Sequence, residues 1–157
     1  MHVQDIVLKI NIDVKSFQLG LSDVDRDSFS WGMLSHFFPK NCCEGLSMML
    51  ARFLIEERGY DQSDIFMVKG ERLDIGENSG CHLWLVVNGV IVDITLGQFS
   101  DAPKNEVISM QSTWHKSFDL LDKTAANSTF KFYVSAYNEQ IIDKDYHLII
   151  KKICNTR

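Results

Sequence analysis

With 157 residues, 45% of them apolar and 24% charged, the chain has the length and composition of one ordinary globular domain, expected to span residues 1–157. A formal charge of -5, with no basic cluster denser than Lys151-Lys152, argues against a nucleic-acid partner. No apolar run approaches the roughly 18 residues that span a bilayer, and Met1-His2-Val3-Gln4-Asp5 lacks a secretion-signal profile, so no membrane partner is expected, and the expected location is the cytoplasm or a leaderless export route.

In chain order, residues 3–18 fit two periods. Val3, Ile6, Val7, Ile10, Val14 and Phe17 make a helical stripe, while Ile6, Leu8, Ile10, Ile12 and Val14 alternate as in a strand; helix is the preferred reading. Residues 23–38 predict a short helix leading into a loop that ends at Pro39. Residues 42–58 carry the clearest helix, with Leu46, Met49, Leu50, Phe53 and Leu54 on one face. Asn41 is its expected N-cap, Glu44 completes a capping-box-like pair, and Gly59 closes it.

Ile65-Phe66-Met67-Val68 predicts a strand ending at Gly70, followed by a polar loop from Glu71 to Gly80. Two β-rich runs, Cys81 to Val87 and Val90 to Thr95, flank Asn88-Gly89, a strong hairpin signal. Phe130 to Ala136 predicts another strand, and residues 137–153 a helix, or a helix and then a strand. Helix followed by antiparallel strands is an α+β order.

The chemistry-bearing residues begin with four cysteines: Cys42, Cys43, Cys81 and Cys154. None forms a C-x-x-C pair, so no zinc site is read, and adjacent cysteines seldom bridge; all four read as reduced. A thiol attacks a carbonyl only as thiolate. Cys42 and Cys43 fall in the first helical turn, where free N–H groups and the helix dipole favour an anion and can form an oxyanion hole. The base must come from elsewhere. A two-residue turn at Asn88-Gly89 sets Val87 opposite Val90, Leu85 opposite Val92 and Trp84 opposite Asp93. Asp93 then shares the face of His82 and lies diagonal to it, about 5.5–8 Å away. A carboxylate there holds an imidazole in one tautomer, the part of the third member of a catalytic triad.

Cys43 at the head of a buried helix, then His82-Leu83-Trp84, then Asp93-Ile94-Thr95, resembles the Cys…His…Asp pattern of transglutaminase-like proteins, which share the papain-like core. Their motifs commonly read Gly-x-Cys with a small residue four places on, His-Ala-Trp and Asp-x-Thr; lasso-peptide leader peptidases show a similar pattern. Ser47 is the small residue four places after Cys43 and favours it over Cys42, which helical phase does not separate. Val68-x-Gly70 resembles the strand after the family's central helix. The resemblance covers roughly residues 37–100; Leu83 stands where the family has alanine, and Asn41-Cys42 where it has the glycine region.

The resemblance implies a central buried helix packed on an antiparallel sheet. It also implies a cysteine-dependent hydrolase acting on an amide bond of a protein or peptide substrate, through Cys43, His82 and Asp93 and a thioester. Hydrolysis (peptidase or deamidase) and acyl transfer both stay open, and no metal or organic cofactor is required. Two other readings stand beside it: a toxin or effector of a conflict system with a cognate inhibitor or immunity protein, and a non-catalytic binding module of the same fold. Among the remaining residues, Trp84 and Cys81 read as core, and Cys154 as inert. His2, His36, His115 and His147 read as surface or structural. Trp31, Phe37 and Phe38 read as core, or as the lining of a substrate groove.

Overall fold

The computed structural model describes residues 2–73, 75–104, 107–126 and 136–155, with 136–138 described by backbone alone. It has an α+β architecture: three long helices and a five-stranded antiparallel sheet. Helix α1 runs Val3–Asp23, α2 runs Cys43–Glu56 and α3 runs Ala136–Asn155. Strands β1 (Ile65–Arg72), β2 (Gly80–Val87), β3 (Val90–Val92), β4 (Ile108–Ser109) and β5 (Asp119–Ala125) pair in the order β4-β3-β2-β1-β5. Among the described residues no helix is long and apolar enough to cross a membrane.

The helical stripe wins in α1, where Ile10, Val14 and Phe17 are fully buried while Leu8 and Ile12 face out. Residues 23–38 form no ordinary helix. A short turn at Arg26–Ser28 and a π-type turn at Met33–Phe37 take its place. These turns are held from α3, since both oxygens of the buried Asp145 accept backbone N–H bonds, from Ser30 and Trp31, each at 2.8 Å.

Helix α2 starts differently from the expectation. Asn41 is not its N-cap, because φ of 58° puts it in the left-handed region, which asparagine tolerates better than most residues. The cap is Cys42, with no side-chain cap bond, so the expected Asn41–Glu44 capping pair is not formed. At the other end Gly59 takes φ of 68° and lets the Tyr60 N–H return to the Leu54 carbonyl. That bond occupies one of the carbonyls a helix end leaves open.

The hairpin forms as the turn chemistry requires. Asn88 and Gly89 both take positive φ, and Val87 pairs with Val90 and Leu85 with Val92. Pairing stops at Val92 and does not run to Thr95. Strand β1 does not end at Gly70 but continues to Arg72, opposite Gly80. Gly70 sits there because an added Cβ would lie 2.7 Å from Phe118 Cβ and 2.9 Å from the Trp84 ring.

The sheet separates two apolar clusters. On one side Ile65, Leu85, Val87, Val90 and Val92 join Leu46, Met49, Leu50, Phe53 and Leu54 of α2 in the main core, with α1 and α3 around it. On the other, Val68, Trp84 and Phe118 gather Phe99 and Trp114. The strand expected at Phe130 to Ala136 lies outside the described residues up to Ser135, and Ala136 already belongs to α3. Residues 137–153 are helical throughout, with no following strand.

Candidate active site

The two adjacent cysteines have opposite surroundings. Cys42, at the N-cap, is fully buried, and its thiol donates to the Met33 and Lys40 carbonyls at 3.4 and 3.3 Å. Burial, reinforced by the neighbouring Cys43, pushes its pKa up to about 12. Cys43, the first residue of α2, is half-buried. Burial alone would raise its pKa, yet it is lowered. The His82 imidazole, the Leu83 backbone N–H and the Gln98 carboxamide stabilise the thiolate and outweigh the burial. The free N–H groups of the first turn of α2 favour the same anion.

His82 is fully buried, with its two ring nitrogens in different company. Nε2 lies 2.5 Å from Asp93 Oδ2, and Nδ1 lies 2.8 Å from Gln98 Nε2. Trp84, Phe99, Trp114 and Phe118 surround the ring at centroid distances of 5.0–5.8 Å. That apolar casing would lower the imidazole pKa, but Asp93 and then Cys43 raise it from 6.5 to about 9. A lowered thiol beside a raised imidazole favours the thiolate–imidazolium pair. With the Gln98 N–H donating, Nδ1 is unprotonated; rotating the carboxamide about its last bond offers Oε1 to an Nδ1–H instead.

Asp93 is 1% exposed and fully partnered. Oδ1 accepts the Thr95 N–H and hydroxyl at 3.0 and 3.1 Å, and Oδ2 accepts His82 and a second histidine, His115, at 3.0 Å. Burial would raise the carboxyl pKa, but the two imidazoles hold it down at about 2. His82, Asp93 and His115 bring metal-ligating atoms within 4.8 Å of one another. Ligand atoms around a tetrahedral zinc ion at about 2.0–2.1 Å sit about 3.3 Å apart. The N···O spacings of 2.5 and 3.0 Å on one carboxylate oxygen suit protons, not a cation.

The predicted residues Cys43, His82 and Asp93 therefore meet at the tip of α2 against the start of β2. Sequence reasoning missed Gln98 and, of its two readings of His115, surface or structural, the surface one fails, since the residue is buried against Asp93. Both lie in short irregular turns, Leu96–Gln98 and His115–Ser117, where no periodicity marks an inward side chain. Cys81 is exposed rather than core, because its strand position faces solvent beside Glu71. Trp84 is buried as expected, but Phe37 is 55% exposed, since the π-type turn points it outward. His2, His36 and His147 are exposed.

A groove of about 460 Å³ adjoins the site, between Glu44 and Met48 of α2 and Met67, Lys69, Leu83 and Asp122 of the sheet. Its lining stops at Glu44 and Leu83, the chain neighbours of Cys43 and His82, whereas a larger hollow along α1 and Val107–Met110 has no residue next to either in the chain. No family model matches the sequence, and neither a curated protein nor a solved structure matches it.

Proposed function

We propose that the chain is a cysteine-dependent enzyme acting on an amide bond of a protein or peptide, built on a papain-like or transglutaminase-like core. The observation that carries this reading is the Cys43 thiol. It stands at a helix tip with its pKa lowered by a buried imidazole that is itself held by a buried carboxylate.

In this reading the Cys43 proton passes to His82 Nδ1, since Nε2 is engaged by Asp93. The thiolate attacks the substrate carbonyl. The developing oxyanion meets the N–H groups of the first turn of α2 and the Gln98 carboxamide, which is already in contact with both thiol and imidazole. His82 returns the proton to the leaving amine and a thioester remains. Water, deprotonated by His82, releases the acid; an amine in place of water gives acyl transfer. The acyl portion of the substrate occupies the groove beside Glu44 and Leu83, whose Met48, Met67 and Leu83 walls suit an apolar side chain.

The test is alkylation of the native chain by iodoacetamide at about pH 6, resolved by peptide mapping. Cys81 and Cys154 are exposed and provide a reference rate in the same sample. Cys43 is expected to react at least about tenfold faster than either, and His82→Ala to remove that excess. Cys43 reacting no faster than Cys81 would end the proposal.

A further inference from the structure

The catalytic reading uses one of the two imidazoles on Asp93 and leaves the other unexplained. His115 is 4% exposed and lies 22 residues beyond Asp93, in a turn with no strand pairing to dictate its place. Its environment is nonetheless specific. The His115 backbone N–H donates to the Ser112 hydroxyl at 3.2 Å, and His115 Nδ1 lies 2.8 Å from the same oxygen. An ionised carboxylate only accepts, so the ring nitrogen that meets it carries the proton. Nε2–H then donates to Asp93 Oδ2 at 3.0 Å, the same oxygen that His82 engages. Trp84 and Trp114 pack edge-on against the ring, each with centroids 5.0 Å apart, and hold its plane.

We propose that His115 is a positioning residue: it pins the Asp93 carboxylate in the orientation that supports His82. This role rests on the nucleophile reading above. Thr95 gives Oδ1 two donors, but with His82 alone on Oδ2 the carboxylate can still turn or take up a proton there. A second N–H on Oδ2 opposes both, which agrees with the low carboxyl pKa of Asp93. The groups that face Asp93 are His82 from β2, His115 from its turn and the Thr95 hydroxyl. Cys43 of α2 lies beyond His82. Arg72 of β1 stands over the Trp114 and Phe118 rings, bound to Asp101 at 2.8 and 3.1 Å. His115 and the Thr95 hydroxyl can both be changed without touching the thiol, the imidazole that serves it or the carboxylate itself, and of the two it is His115 that meets Oδ2, the oxygen that His82 engages.

The experiment follows the rate of Cys43 alkylation between about pH 4 and pH 8, where thiolate formation reports on the site without a known substrate. It uses the full chain and His115→Leu, His115→Asn and His115→Gln, each checked for native circular dichroism. Gln places an amide N–H near the position of Nε2, whereas Asn is too short to reach Oδ2 and Leu has no donor. The acid limb is expected to move toward neutral pH by about one unit in the Leu and Asn variants, slowing alkylation near pH 5 about tenfold. Gln should overlay the wild type. Asn keeps the test open if Leu prevents folding. If Leu or Asn overlays the wild type, or if Gln shifts as far as Asn, the positioning role is overturned while the nucleophile stands. If the unmodified chain shows no excess reactivity at Cys43, the nucleophile reading fails and takes this role with it.

Discussion

Two neighbouring thiols differ more in this protein than most distant ones do. Cys42 is a core residue whose sulfur touches two carbonyls, and Cys43 faces an imidazole. Cys42→Ala is therefore expected to cost about 1 kcal/mol of stability, measured by urea unfolding, and to leave Cys43 alkylation unchanged. Cys43→Ala should act on the other member of the pair. It removes one of the two anions that lift His82, so the imidazole should titrate below its value of about 9, as read by NMR. An unchanged His82 titration would mean that thiol and imidazole do not form an ion pair. The sequence could not separate these cysteines, because an N-cap residue lies outside helical phase: Cys42 has φ of -102° and ψ of -3°. Resemblance favoured Cys43 through Ser47; in the structure Cys42 is fully buried and Cys43 half-buried.

Among the elements, the hairpin was the most legible because its information is local. Asn88-Gly89 accepts two positive φ angles, and the resulting register places Asp93 within reach of His82. Strand β5 carried no such signal: all seven of its residues are exposed, so no apolar alternation marks it. The end of β1 was misread for the opposite reason. Glycine usually interrupts strands, but Gly70 is kept in mid-strand by the Phe118 and Trp84 side chains that occupy its Cβ position. Gly70→Ala should therefore cost about 1–3 kcal/mol, through overpacking in a rigid aromatic cluster. Because Gly70 pairs with His82, the same change should also slow Cys43 alkylation. Gly32→Ala is the control, since its added Cβ meets nothing within 4 Å and its φ of -58° suits alanine. Equal losses at both glycines would refute the packing explanation.

At the scale of the whole molecule, α1 and α3 close over the core through another tight approach: a Cβ on Gly20 would lie 2.4 Å from Ile153. Helix α3 holds the segment before α2, and so the site, through Asp145. Such long-range contacts leave little trace in a sequence, which is why residues 23–38 were misread while α1 and α2 were not.

The same architecture makes global stability depend on the buried pair. Asp93 has a folded pKa of about 2 against 3.8, so its contribution is present above about pH 4 and is lost as pH falls toward 2. His82 has a folded pKa of about 9 against 6.5, so its contribution is full below pH 6.5 and is lost as pH rises through 9. The Asp93–His82 pair enters both values and counts once, at about 2 kcal/mol, while His115 adds to the first shift and Cys43 to the second. The window where both ends are charged in the folded chain and the gain is complete runs from about pH 4 to 6.5. The difference in unfolding free energy between the wild type and Asp93→Asn should therefore be largest near pH 5 and shrink by about 2 kcal/mol toward pH 10, where the neutral imidazole keeps only a hydrogen bond. Urea titrations at a series of pH values measure that difference directly. A difference that stays flat from pH 5 to 10 would mean that His82 is held as a neutral ring, and the thiolate would then lack its counter-charge.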